Sequence, residues 1–418
     1  MKNSVHLGMS AIPLSVVLVQ NQFPQDTHWG GISTYGWFMA QALAKEGVSV
    51  HVICQSMDNK IEVPKQISDL IHVYRIPGTE PISGNFKKLI NKVIPDKSYW
   101  FAYNAWIHFK ELQKKGLKAD VIDCADYLGS AYFFLKDETI TQPINVTCHT
   151  PSFIADEMNE GKDAKANKKN KKRYSMEIES IKLAFGLLSP SHRLSNLLAA
   201  KTGRSLNDFF TNPYPYPVQQ EVQIEPEIVN VKRPFVLFTG RIERRKGIQT
   251  LINAWNNTSM KKDYSLVLAG KKTNHSPEFE SLIEQLSIPS IQFIGDQNRE
   301  QLAWLYQNAA LVILPSQPFE NYPYTCIESM GYAAPTLVSD SGGMSELIYD
   351  EENGWVFKTG STEHLTEQIE KILNMPVSDK IAIGLKAQQT IKRINAPNRI
   401  AQRTINYYSR LINDYKKS

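Results

Sequence analysis

Phe235-Val-Leu-Phe-Thr-Gly-Arg-Ile-Glu-Arg-Arg-Lys246-Gly247 joins a short apolar run to a glycine turn and a basic loop, and a helical pattern follows it. A buried parallel strand passing into a crossover helix reads this way. The same succession recurs at 266–269, 291–294, 311–314 and 336–338, which predicts a doubly wound sheet in the second half of the chain. Working backwards, strand-like runs at 14–19, 48–54, 121–123, 144–148 and 187–189, with a helix over 33–46, predict a second sheet of the same kind. Between the two lies Asn212-Pro-Tyr-Pro-Tyr-Pro-Val218, whose three prolines forbid a continuing helix or a central strand. The fold class is therefore α/β, with two Rossmann-like doubly wound domains facing each other across a cleft. The expected divisions are 1–215, 216–395, and a closing helix at 396–418 that packs back on the first domain. Loops at the carboxyl ends of the strands should carry the function.

Composition narrows the class. The 418 residues are 42% hydrophobic and 21% charged, an ordinary globular balance with apolar material for more than one core. Cys54, Cys124, Cys148 and Cys326 form neither a disulfide framework nor a zinc pattern, which suits a reducing, cytoplasmic compartment. A net charge of +5 is too mild for a nucleic-acid footprint. The apolar run at 11–19 contains Pro13 and Ser15 and lacks a small-residue cleavage site, so it reads as a first strand and not a signal peptide. No uncharged apolar stretch reaches the roughly 18 residues a membrane span needs.

Basic residues gather in two places. Seven cations lie within 162–173, the composition of a solvated loop. Region 86–118 interleaves Phe86, Trp100, Phe101, Trp106 and Phe109 with Lys87, Lys88, Lys92, Lys97, Lys110, Lys114 and Lys115, as suits a helix lying on anionic lipid, a groove for a negatively charged acceptor, or an aromatic core with a wet basic face. Peripheral membrane contact is one expectation from it.

The loop after 235–239 is an anion site in outline. Arg241 supplies a planar fork, Lys246 a point charge, and Gly240 and Gly247 allow close backbone approach. A solvated basic turn has the same composition. After 311–314, Glu320 falls in the loop, and Glu328 falls about one turn into the next helix, where a carboxylate can accept two hydrogen bonds from the paired hydroxyls of a ribose. In the first domain Gly30-Gly31-Ile-Ser33-Thr34 opens a helix that could face an anion. His149, Asp123 and Asp126 stand at strand ends. Asp123-Cys-Ala-Asp126 is not a metal-binding Asp-x-Asp, and Ser265 stands where a Walker loop needs glycine, so neither a metal ion nor an NTPase is expected.

Gly240-Arg241 with Lys246-Gly247, then Glu320 and Glu328 with seven residues between them, then Asp340-Ser-Gly-Gly343-Met-Ser-Glu346 resemble the retaining glycosyltransferases of family 4, which have the GT-B fold. The resemblance implies transfer of a hexose-type sugar from a nucleoside-diphosphate sugar to a glycan or glycolipid hydroxyl. It also implies a metal-independent site without cofactors, a front-face mechanism, and a place in bacterial surface-polysaccharide assembly at the inner face of the membrane. Carried over, Arg241 and Lys246 hold the diphosphate, Glu328 the ribose, and Glu320 and His149 the sugar. Gly30, Gly31, Gly240, Gly295, Tyr322 and Tyr324 complete the donor contacts, while Asp123 and Asp126 are offered to the acceptor. Many members have Gly-Phe-Gly after the first glutamate, where this chain has Asn321-Tyr322-Pro323, and proline has no N–H to donate. The alternatives are a nucleotide-sugar epimerase of the same fold and a non-catalytic sugar-binding scaffold.

Overall fold

A computed structural model describes residues 14–24, 30–81, 99–160, 168–218, 231–232, 234–273, 276–285, 288–317 and 319–418. Phe86 and the first four lysines of the 86–118 region, and Lys162 and Lys165 of the basic run, lie outside them. Two compact units are present, Met1–Cys148 with Lys168–Leu188 and Ala401–Ser418, and His149–Asn167 with Ser189–Ile400.

In the first unit, β1 (Ser15–Val19) lies between β2 (Ser49–Gln55) and β5 (Val121–Ala125). With β3 (Lys65–Ser68), β4 (Ile71–Ile76), β6 (Ile144–Thr147) and β7 (Gly186–Ser189), the order is β3-β4-β2-β1-β5-β6-β7. Among the described residues only the β3–β4 pairing of this set is antiparallel. All of β5 and β6 is buried, as expected of central parallel strands covered on both faces. The helix Gly31–Lys45 starts where Gly30 N donates to Ser33 Oγ at 2.7 Å, and Ser33 Oγ donates back to Gly30 O at 2.9 Å.

The described part of the basic aromatic region resolves into core packing. On the helix Tyr99–Lys114, Trp100, Phe101 and Phe109 are buried, and Tyr103 and Trp106 gather round Phe133 at 5.4 and 6.0 Å between ring centres. Lys110 pairs with Asp137 at 2.9 Å, while Lys114, Lys115 and Lys118 are exposed. The aromatics thus serve the interior and the lysines face water.

The C-terminal helix Pro397–Tyr415 buries Ile400, Ala401, Thr404, Tyr408 and Leu411, and leaves Ile405 half-buried. Tyr408 donates its hydroxyl to Asp123 Oδ2, and Tyr407 donates to Asn145 Oδ1 at 2.9 Å. Asp123 also accepts from Thr147 Oγ1 at 2.7 Å and Asn145 Nδ2 at 2.9 Å. This corrects the acceptor role expected for Asp123: its carboxylate is consumed by a buried network that ties the helix to β5 and β6. Asp126 is also buried, its N–H donating to Thr147 O at 3.0 Å.

In the second unit, β8 (Phe209–Thr211) precedes a six-stranded parallel sheet. Its strands are β9 (Phe235–Thr239), β10 (Ser265–Ala269), β11 (Ile291–Gly295), β12 (Leu311–Leu314), β13 (Thr336–Ser339) and β14 (Trp355–Phe357), in the order β11-β10-β9-β12-β13-β14. Trp255, Trp355 and Phe357 pack against Leu251, Leu365 and Ile369 in its core. The proline stretch lies inside this unit, because Tyr216 N donates to Asn395 O at 2.8 Å and Asn395 Nδ2 donates to Tyr214 O at 2.7 Å. The compact division therefore departs from a boundary at 215/216. Among the described residues no helix is long and apolar enough to cross a membrane.

Burial raises the Asp123 carboxyl from 3.8 to about 6, against the opposing pull of the hydrogen bonds from Tyr408, Thr147 and Asn145. A carboxyl whose value rises on folding stabilises the folded state at low pH, so its contribution falls as pH rises from about 4 to about 6. Tyr408→Phe removes a hydrogen bond to the ionised form and should cost about 2 kcal/mol at pH 7. Urea unfolding at pH 7 and pH 5 checks this, with the smaller loss expected at pH 5.

Candidate functional site

Gly247 has φ of +73° and opens the helix Ile248–Asn257; a Cβ placed there would stand 1.8 Å from Pro315 O. Only glycine allows that approach, which lays the basic loop after β9 against the loop after β12. Lys246 thereby donates to Glu320 Oε2, and Arg245 Nη1 lies 3.4 Å from the same oxygen. Arg245 Nε is 2.7 Å from Glu243 Oε1, and Arg241 Nη2 is 3.2 Å from that atom. The five side chains form a ladder of alternating charge. Glu243 and Arg245 belong to it although motif spacing did not single them out; their place beside Arg241 and Lys246 in one charged run is the signal that could have found them.

Burial alone would raise the Glu320 carboxyl, but Lys246 and Arg245 overcome it and hold the group at about 2. Burial lowers Lys246 in spite of the attraction of Glu320, and Arg245 is raised because its two carboxylates outweigh burial. Glu320 is ionised at neutral pH. Arg241, in contrast, keeps 57% of its side chain exposed.

The Asp340–Glu346 segment supports Glu320 from behind. Gly343 N donates to Glu320 O at 2.8 Å, Glu320 N donates to Ser341 Oγ at 3.1 Å, and Gly342 sits at φ +59° with no room for a Cβ against Glu320 O. Glu346 accepts from His192 N and Arg193 N at 3.0 and 2.7 Å, capping the helix His192–Thr202.

Asn321 is buried and committed. It donates from Nδ2 to His149 O at 2.7 Å and accepts from Ser191 Oγ at 3.0 Å. His149 Nδ1 shares a 2.7 Å hydrogen bond with the Tyr214 hydroxyl, and burial pushes its imidazole down to about 3, so it is neutral. Tyr214 stacks on Tyr324 at 5.4 Å and meets Tyr322 edge-on at 5.6 Å. Tyr324 donates to Pro215 O at 3.2 Å, and the Tyr322 hydroxyl lies 3.4 Å from Asn395 Nδ2. Both tyrosines are buried in the packing of the proline stretch, which is where their hydroxyls are spent, in place of the donor contacts expected of them.

Glu328 lies one turn into the helix Tyr324–Gly331, which Pro323 opens. Tyr306 donates to its Oε2 at 3.3 Å and rests in turn against Thr239 Oγ1 at 2.9 Å. Burial raises its carboxyl to about 7, although Arg299 and Tyr306 act to lower it. Gly240 closes β9 with its N–H on Ala269 O at 3.0 Å, and Gly295 ends β11 at φ +75°. Gly30 and Gly31 stand at their helix start in the first unit, and no described group of three or more His, Cys, Asp or Glu is placed to hold a metal ion.

Loops of this kind, on two sheets of this topology, invite comparison with known proteins. Residues 219–390 match the family of glycosyl transferases group 1. An uncharacterized glycosyltransferase of Methanocaldococcus jannaschii is 29% identical over 175 residues, 41% of this chain and 44% of that one. The chain thus matches less than half the length of that relative. Sucrose-phosphate synthase from Thermosynechococcus elongatus superposes with a TM-score of 0.77 at 18% identity, over 96% of this chain and all of that one. Anabaena HepE, in complex with UDP and glucose, gives 0.68 at 13% identity over 95% of this chain and all of that one. The fold is GT-B, two Rossmann-like α/β sheets.

Glu320 titrates below its ordinary value of 4.5, so the ladder's stabilisation is complete above about pH 4.5 and is lost as pH falls toward 2. Glu320→Gln leaves Lys246 buried beside a neutral amide. It should lower the unfolding free energy at pH 7 by about 3 kcal/mol in urea titration.

Proposed function

We propose that the chain is a retaining glycosyltransferase, moving a hexose-type sugar from a nucleoside-diphosphate sugar to a hydroxyl of a glycan or glycolipid. One observation carries the reading: the strand-end loop 240–247 sets Arg245 and Lys246 on Glu320 with Arg241 beside them on Glu243, while Glu328 lies one turn into the next helix. The family match of residues 219–390 covers these residues, and HepE, which shares the fold, is seen with UDP and glucose.

Cleavage between an anomeric carbon and a diphosphate puts positive charge on the sugar and negative charge on the leaving group. Arg241 and Lys246 hold that leaving group, each preorganised cation contributing on the order of 3 kcal/mol to the transition state. Lys246 exchanges part of its bond to Glu320 for phosphate oxygen, which leaves the Glu320 carboxylate to accept from sugar hydroxyls. His149, neutral at physiological pH, offers a hydrogen bond without adding charge. Glu328 accepts from the ribose diol. The acceptor hydroxyl attacks from the leaving group's side, and the diphosphate takes its proton. Fixed cations do what a metal ion would do elsewhere, so no metal is required. The four cysteines are buried and form no disulfide with one another, which suits a cytoplasmic protein, and surface-polysaccharide assembly at the inner membrane face is the proposed setting.

The test is release of nucleoside diphosphate from UDP-, GDP- and ADP-hexoses, with products followed by NMR. Arg241→Ala and Lys246→Ala should each slow turnover about a hundredfold; wild-type turnover in both refutes the assignment. Product analysis also separates a transferase from an epimerase, which returns an isomerised nucleotide sugar.

Since Glu328 titrates near 7 and accepts ribose hydroxyls as a carboxylate, nucleoside-diphosphate affinity should weaken as pH falls from 8 to 6. Calorimetry across that range should show a Glu328→Gln variant that binds more weakly and lacks this component of the pH dependence.

A further inference from the structure

We propose that Glu243 is a positioning residue that aims Arg241 at the diphosphate. The inference rests on the reading of Arg241 and Lys246 as diphosphate ligands and adds a residue that the motif spacing leaves unassigned.

Ile242 pairs as an isolated parallel bridge with Lys272, and Glu243 N donates to Arg241 O at 2.9 Å, so the backbone turns tightly about Ile242. Ile242 is buried, and the turn brings Arg241 and Glu243 together, 3.2 Å apart between Nη2 and Oε1. The Glu243 side chain is 8% exposed and is fixed from behind by Arg245 Nε at 2.7 Å, which in turn reaches Glu320. A carboxylate beside a phosphate site opposes anion binding through its charge, so its presence needs a compensating gain. That gain is preorganisation. Arg241 is long and more than half exposed, and without an anchor it would lose side-chain freedom on gripping a ligand. Glu243 engages one end of the guanidinium and leaves further N–H groups for a bidentate grip on phosphate. Within the ladder, Arg241, Arg245 and Lys246 face Glu243 and Glu320, which leaves one net positive charge, so the site remains attractive to an anion.

Positioning and plain charge predict opposite signs. Calorimetric titration of the full chain with UDP, GDP, ADP and inorganic pyrophosphate at one salt concentration reads the difference. Glu243→Gln removes a negative charge, raising the site's net charge by one, and yet should bind about tenfold more weakly. Glu243→Asp keeps the charge on a shorter arm and should also bind more weakly, which serves as the second variant should the glutamine form fail to fold. Because Glu243 acts through Arg241, the double variant Arg241→Ala/Glu243→Gln should bind no more weakly than Arg241→Ala alone. Unchanged or tighter binding in Glu243→Gln overturns the proposal, as does a double variant whose losses multiply. Wild-type protein that binds none of the four probes, or Arg241→Ala and Lys246→Ala proteins that bind them as well as wild type, overturns the diphosphate reading itself.

Discussion

The ion pair between Lys246 and Glu320 is the constraint on which the site depends. These residues are 74 apart in sequence and meet because β9 and β12 are adjacent parallel strands whose following loops leave at the same end. Taking both charges out of water is costly, and the cost is tolerable only where each has a partner. Arg245 and Ser341 at the side chain and backbone of Glu320, and the glycine approach of Gly247 to Pro315, hold the loops in register for that pairing. In the proposed reaction a leaving diphosphate meets cations already immobilised where its charge develops, and little reorganisation remains to be done.

The two glutamates of one short motif occupy opposite electrostatic environments. Glu320 is held near 2 by two cations that overcome its burial, whereas Glu328, among Tyr306, Tyr216 and Tyr332 with Arg299 as its opposing influence, is raised to about 7. Such separation of like groups by their surroundings marks a division of labour. Under the proposed function, the permanently charged group suits electrostatics and sugar contact, and the group that titrates near neutrality would couple ligand binding to proton release. His149 extends the pattern: it is neutral by burial and oriented through Tyr214, while Asn321 fixes its backbone.

Much of the frame was legible in the sequence, because buried parallel strands must be apolar along their length and the loops after them must turn. Phe235–Thr239 and Leu311–Leu314 stand where the pattern predicts strands, with Glu328 one turn into its helix. Strands β3, β4 and β14 escaped the pattern: β3 is polar and mostly exposed, β4 alternates Ile71, Val73 and Ile76 with polar or half-buried residues, and β14 has three residues. Asp123 looked available because a carboxylate at a strand end is usually wet; only the return of the C-terminal helix, nearly 300 residues later, brings Tyr408 onto it.

The sequence by itself determined the fold class and the basic and acidic loops, since these follow from local periodicity and from residues a few positions apart. Tertiary structure alone decided the partners. Glu320 rather than solvent neutralises Lys246, Glu243 rather than Glu320 holds Arg241, and Tyr322 and Tyr324 pack on the proline stretch. A side chain's charge is written in its identity, but its pKa, its orientation and its freedom depend on atoms that arrive from distant parts of the chain.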